Sequence, residues 1–269
     1  MIRLDVSQIH KNLKDPDRCF DLNIPCFEVK SGEKVAIIGA TGSGKTTAMD
    51  ILAMASQPDK CERFALAVGD KSYDLKQIAT KPQKCARIRA SFFGYVMQRS
   101  PLFPFLSVRE NVTLQQLVAK RPDPAFIDVL LDRLGLTMIA GAFPSEISQG
   151  QKQRTAIARS LSHRPSVILC DEPTGALDPK TARQCLETID WAAVQTGAAL
   201  IMITHDWELA KACGFEFCSI QTCSLGKSHM AGELERRSCA AGPAKTRRGG
   251  DLSLGLSKQG SGSLVGGAR

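Results

Sequence analysis

GATGSGKTT, Gly39–Thr47, is the stretch whose reading decides the rest of the chain. It matches G-x-x-x-x-G-K-[ST] at every fixed position. The run before it, KVAII at Lys34–Ile38, suits a short buried strand, and TTAMDILAMA, beginning at Thr46, carries apolar residues at helical spacing. Strand, glycine-rich loop and helix in that order make an anion cradle. Glycine lets the backbone wrap closely around phosphate, and the loop amides together with the helix N-terminus favour negative charge. Gly39, Ala40, Thr41, Gly42, Ser43, Gly44, Lys45, Thr46 and Thr47 are therefore the expected nucleotide-binding residues. Lys45 is expected to reach the β- and γ-phosphates, and Thr46 to place its hydroxyl on Mg²⁺. A glycine turn that only opens a helix has no need of a lysine at this position.

The chain around this loop has 269 residues, 43% hydrophobic and 23% charged, which is ordinary for a soluble globular protein of one large or two small domains. No apolar run approaches the roughly 18 residues that span a bilayer. The N-terminus, MIRLDVSQIHK, lacks the apolar stretch of a secretory signal, so a cytosolic chain is expected. Its ten cysteines, without paired spacing, should then be reduced. Cys213, Cys218 and Cys223 fall five apart with His229 nearby, but zinc sites use tighter pairs, and small residues packed along a strand explain them better. Half of the net charge of +8 lies after residue 230, where seven Lys/Arg face three acids. That pattern reads as a solvated tail and argues against a specific nucleic-acid partner.

Outward from the loop, Met1–Lys30 alternates like strands, Asp59–Asp74 reads as a strand pair, and Val108–Leu134 reads as helix broken at RPDP. A helix is expected from near Ser148 through QKQRTAIARSLS, a buried strand at Val167–Cys170, helix at Thr181–Gln195 and strand at Ala199–Thr204. Alternating strand and helix predict an α/β fold with a mostly parallel core sheet. After about Met230 the sequence turns Gly-, Ser- and Arg-rich, so residues 231–269 are expected to be a disordered basic tail or a non-native extension.

A second motif carries chemistry. VILCDEP, Val167–Pro173, ends an apolar strand in two acids, at the sheet edge where open α/β folds bind ligands. Asp171 is expected to help hold Mg²⁺, and Glu172 to act as the base that orients or deprotonates the attacking water. Loop and acid pair together specify a P-loop nucleoside triphosphatase and no more. Four further stretches narrow it: FFGYVMQ with Gln98, ISQGQKQR at Ile147–Arg154, Gly175–Asp178 after the acid pair, and IMITHD with His205.

In this order and spacing the chain resembles the ATP-binding-cassette (ABC) ATPases, from about Leu4 to His229. GYVMQRSPLFPFLSVRENV, LLDRLGL, DEPTGALD and ITHDWELA look like the lipoprotein-releasing and macrolide-export type. The resemblance implies a P-loop core with an N-terminal antiparallel β region and an inserted helical subdomain of about 101–153, all within residues 1–230. It assigns catalytic roles to Glu172, His205 and Gln98, a Mg²⁺ set of Thr46, Gln98 and Asp171, and a D-loop at Asp178. Ser148, Gln149, Gly150 and Gln151 would form a signature acting in trans on the ATP of a second ATPase subunit, most simply a homodimer. A separate transmembrane permease would be the other partner, placing the subunit peripherally on the cytoplasmic face of the inner membrane.

Two departures stand out. Ile147 and Gln149 replace the usual leucine and first glycine of the signature, and no tyrosine precedes the P-loop to stack adenine, leaving His10 and Phe20 as substitutes. Ser100–Phe105, with two phenylalanines among prolines, is either the permease-facing surface or a piece of core. A soluble cassette in DNA repair or translation is the alternative reading. No sustained heptads lie between Thr47 and Ile147, and a single cassette is present.

Overall fold

The computed structural model describes residues 1–15, 18–98, 101–175, 177–225 and 229–237. A single mixed sheet organises them. Its strands are β1 (Ile2–Asp15), β2 (Arg18–Lys30), β3 (Lys34–Ile38), β4 (Arg63–Val68), β5 (Lys71–Asp74), β6 (Phe93–Val96), β7 (Val167–Asp171), β8 (Ala199–Ile203), β9 (Glu216–Ser224) and β10 (His229–Arg237). The spatial order is β5-β4-β1-β2-β10-β9-β3-β8-β7-β6. From β9 to β6 every pairing is parallel, while β1 pairs β2 and β4 antiparallel and β4 pairs β5 antiparallel. The α/β class, the mostly parallel core and the antiparallel N-terminal region are all present.

Parallel strands covered on both faces should be continuously apolar. VILCD of β7 and ALIMI of β8 are buried at every position. Alternate side chains feed two apolar clusters. Ile37, Leu169 and Ile201 pack with Met49 and Leu52 of α1 (Lys45–Leu52). The same cluster takes Leu75 of α2 (Leu75–Ala79) and Cys85 and Ile88 of α3 (Pro82–Phe92). Ile168, Leu200 and Met202 face the other way, toward α4 (Val108–Ala119), α5 (Pro124–Arg133), α6 (Gln149–Leu161), α7 (Pro179–Thr196) and α8 (Trp207–Ala212). The long segment between β6 and β7 holds α4, α5 and α6.

α4 begins at a reciprocal cap, in which Ser107 accepts from the Glu110 amide while Glu110 accepts from the Ser107 amide. α6 begins in the same way at Ser148 and Gln151. Its far end reaches the core sheet. A Cβ on Gly94 of β6 would lie 2.3 Å from the Ser160 carbonyl oxygen and 2.8 Å from the Pro165 ring, so only glycine allows this approach.

Several elements had no sequence signal. α3 buries only Cys85 and Ile88 among basic residues, too few for a periodic stripe. β10 runs through to Arg237, with Ala231 and Leu234 buried, so the ordered chain continues past the boundary placed at residue 230. The tail expected from there on lies outside the described residues beyond Arg237. The β1–β2 pairing skips Gln8 (φ 49°) and Pro25, passing from Ser7–Cys26 to Ile9–Ile24. The buried positions shift there, from Leu4 and Val6 to Ile9 and from Phe27 and Val29 to Ile24. No helix of the described residues is long and apolar enough to cross a membrane.

Candidate active site

Four neighbouring strands, β3, β8, β7 and β6, deliver one segment each to the same edge of the sheet. The loop at Gly39 leaves β3, His205 follows β8, Glu172 follows β7 and Gln98 follows β6. This is the carboxyl edge of the parallel strands, where ligands of open α/β sheets bind.

The loop is built for an anion. Gly42 and Gly44 adopt φ of 76° and 89°, a region that penalises any Cβ. A Cβ on Gly39 would lie 2.7 Å from Ser43 Oγ. Ser43 is buried and its hydroxyl has no partner, which suits a group that a bound phosphate would satisfy. Lys45 is also buried, and its ammonium donates to the carbonyls of Gly39 (2.9 Å) and Ala40 (2.8 Å), bridging the loop mouth. Burial lowers its pKa, opposed by the nearby Glu172 and Asp171.

Thr46 donates its hydroxyl to Asp171 Oδ2 at 2.9 Å, joining the first turn of α1 to the end of β7. Asp171 is 2% exposed, and burial raises its pKa despite the Thr46 hydrogen bond. A hydroxyl and a desolvated carboxylate side by side fit a hard cation with oxygen ligands. Glu172 sits at φ 48°, and its amide donates to the Ile203 carbonyl at 3.0 Å. Its Oε1 is 2.7 Å from His205 Nε2, and its Oε2 accepts from Gln98 at 3.4 Å. A non-glycine residue in the left-handed region is held there by its surroundings, a strain that concentrates at functional sites.

The predicted residues of the loop, the acid pair, Gln98 and His205 thus come together. The signature does not join them within one chain. Ser148 is exposed, and its amide and hydroxyl are bonded to Gln151 within its own cap. Gln149 is exposed at the first helical position and Gly150 stands 3.4 Å, measured from an added Cβ, from Leu177. Ile147 is buried where the usual leucine would be. Asp178 caps α7, accepting from the Thr181 amide at 3.1 Å, and Ala176 lies outside the described residues.

Sequence reasoning missed Gln153. It is 7% exposed and donates to the Pro173 carbonyl at 2.9 Å, tying the signature helix to the segment after the acid pair. It stands in ISQGQKQR, Ile147–Arg154, but only the fold shows its target. The adenine substitutes separate. The Phe20 ring is half-buried and would meet a Cβ on Gly44 at 2.8 Å, so it backs the phosphate loop. His10 instead engages Asp21 at 3.1 Å. Both tyrosines serve the framework: Tyr95 donates to Asp50 at 2.8 Å, and Tyr73 packs on Phe92. Phe103 and Phe105 are exposed, 42% and 70%, which settles their burial against the core; Ser100 lies outside the described residues. Of the cysteines spaced by five, Cys218 is buried in the core, and His229 bonds to Asp21 rather than to any of them.

Comparison with known proteins agrees with this geometry. A family model described as ABC transporter matches residues 22–175. A probable amino-acid ABC transporter ATP-binding protein of Haemophilus influenzae is 37% identical over 215 residues, covering 78% of this chain and 81% of that protein. The lipoprotein-releasing system ATP-binding protein LolD of Rickettsia conorii is 37% identical over 193 residues, covering 71% of this chain and 80% of LolD. A solved dimer of the ATP-binding cassette MJ0796, in a post-hydrolysis state bound to ADP and Pi, superposes with TM-score 0.70 at 28% identity. That match covers 81% of this chain and 94% of the other.

Proposed function

The chain belongs to the ABC transporter family, and on that premise we propose that it is the subunit that binds and hydrolyses ATP and drives a membrane permease by ATP-dependent closure of a dimer. The observation that carries this reading is the convergence of the Gly39 loop, His205, Glu172 and Gln98 on four adjacent strand ends. One relative is named as an ABC transporter ATP-binding protein and the other as the ATP-binding protein of a lipoprotein-releasing system, which favours this reading over a soluble cassette in repair or translation.

Each residue has a task. The amides of the loop and Lys45 hold the phosphates and fix their register. Thr46, Asp171 and Gln98 would hold Mg²⁺, which when bound neutralises charge developing on the phosphates. Glu172 orients the attacking water and takes its proton; His205, bonded to the other face of the same carboxylate, fixes the direction in which that carboxylate points. Ser148 and Gly150 lie at the exposed N-terminus of α6, where partial positive charge favours an anion brought by a second copy. ATP is then shared between two protomers, and loss of its γ-phosphate releases them. The solved dimeric cassette supports that arrangement. The exposed rings of Phe103 and Phe105, 5.9 Å apart, are the surface we assign to the permease, with the subunit peripheral on the cytoplasmic face of the inner membrane.

The test is Glu172→Gln. It should bind Mg-ATP, turn it over at least 100-fold more slowly, and elute as an ATP-dependent dimer in sizing chromatography. A monomeric, fully active variant would overturn the proposal.

A further inference from the structure

Away from the phosphate loop, the sheet gathers a second set of chemically active side chains. In the β1–β2 ladder His10 lies opposite Asn23, and Asn12 opposite Asp21; in the β2–β10 ladder His229 lies opposite Cys19. Side chains alternate along a strand, and directly paired residues share a face. His10, Asn12, Cys19, Asp21 and His229 therefore project from one face, while Phe20 and Leu22, the pair that approaches Gly44, project from the other.

Their atoms converge on one carboxylate. His229 Nε2 lies 2.5 Å from Asp21 Oδ2, and His10 Nε2 lies 3.1 Å from Asp21 Oδ1. Asn12 donates to Asp21 Oδ1 at 2.6 Å and to Cys19 Sγ at 3.2 Å. One ligand atom from each of Cys19, Asp21 and His229 lies within 4.8 Å of the others, and all three residues are half-buried. Burial opposes ionisation of Asp21, but hydrogen bonds from Asn12 and His229 outweigh it and hold its pKa below the ordinary value. The buried His10 Nδ1 has no partner.

We propose that Cys19, Asp21 and His229 form a binding site for a borderline transition-metal dication of the Zn²⁺ class, with Asn12 and His10 as its outer hydrogen-bond shell. Thiolate, imidazole and carboxylate together select Zn²⁺ or Co²⁺ over Mg²⁺ and Ca²⁺, which prefer all-oxygen sites. Zinc bond lengths of roughly 2.0–2.3 Å put tetrahedral ligands about 3.5 Å apart, so a modest side-chain rotation closes the set. The Cys19 thiol gives its proton to solvent, and the neutral His229 ring carries its remaining proton on Nδ1, leaving Nε2 for the metal. Asp21 Oδ2 turns from His229 to the ion, while Oδ1 keeps its bonds from Asn12 and His10, the pattern by which outer partners orient metal ligands. The ion would pin β10 to β2, two strands from opposite ends of the described chain.

The experiment uses the full chain, stripped with chelator and kept free of nucleotide. Titrated Co²⁺ should produce a thiolate-to-cobalt charge-transfer absorption saturating at one equivalent. Cys19→Ser should lose that band, and His229→Gln should weaken binding at least tenfold, whereas Lys45→Ala should retain both. Zn²⁺ should raise the Tm of the wild type and of Lys45→Ala, but not that of Cys19→Ser or His229→Gln. A wild type without the band, or a band that survives Cys19→Ser, would overturn the site. Retention in Lys45→Ala separates this result from the fate of the nucleotide reading.

Discussion

Glu172 and His205, which follow neighbouring strands of the parallel core, are joined through Oε1 and Nε2 at 2.7 Å. The pair fixes a carboxylate that its own backbone already holds in an uncommon conformation. His205→Ala should therefore leave Glu172 present but poorly aimed. We expect kcat for ATP to fall about 10²- to 10⁴-fold with nucleotide affinity changed only a few-fold. Steady-state kinetics beside equilibrium titration separate the two, and an unchanged kcat would remove His205 from the machinery.

Lys45 is buried with its ammonium held on two loop carbonyls, poised to exchange them for phosphate oxygens. Lys45→Ala should abolish tight binding of ATP while leaving the fold intact. Calorimetry and circular dichroism on the same sample check both halves.

Gly94 is needed for space rather than for backbone freedom. Its missing Cβ makes room for the Ser160 carbonyl, so Gly94→Ala forces β6 and α6 apart. A loss of about 1–3 kcal/mol is expected, the usual cost of overpacking. Urea unfolding measures it, with the slope against denaturant unchanged.

His163 is 1% exposed, and burial depresses its pKa to about 4, although its hydrogen bond to the Phe93 carbonyl at 3.1 Å acts the other way. Because that carbonyl can only accept, Nε2 carries the proton of a neutral ring. The unfolded ring titrates near 6.5, so between pH 6.5 and 4 the unfolded chain binds the extra proton. The contribution is full above 6.5 and is lost as pH falls toward 4, up to about 3 kcal/mol. The difference in Tm between wild type and His163→Gln should narrow over that window; a constant difference would contradict it.

What could be read from the sequence was the chemistry that is local. GATGSGKTT and VILCDEP each hold their residues within one turn of chain, so spacing alone specifies geometry. Buried strands such as ALIMI announce themselves by composition. Illegible features were those made by register across long separations. His10 meets Asp21 through the β1–β2 ladder, and His229 joins them only because β10 aligns it with Cys19; the reading of Cys218 as a packed strand residue agrees with its burial in the core. β10 itself, HMAGELERR, has too few apolar residues to stand out from the tail. The exposure of Phe103 and Phe105 depended on whether a partner strand or solvent would cover them, which no local pattern encodes.

The place of β10 in the sheet has a consequence for synthesis. It lies between β2 and β9, so among the described residues the strand ladder passes from the N-terminal hairpin to the parallel core through β10. As the chain leaves the ribosome, the first strands to emerge wait with an open edge until nearly everything else has appeared. Until residues 229–237 have been made, β2 and β9 have no strand to join them, and the ladder of the sheet stays in two pieces.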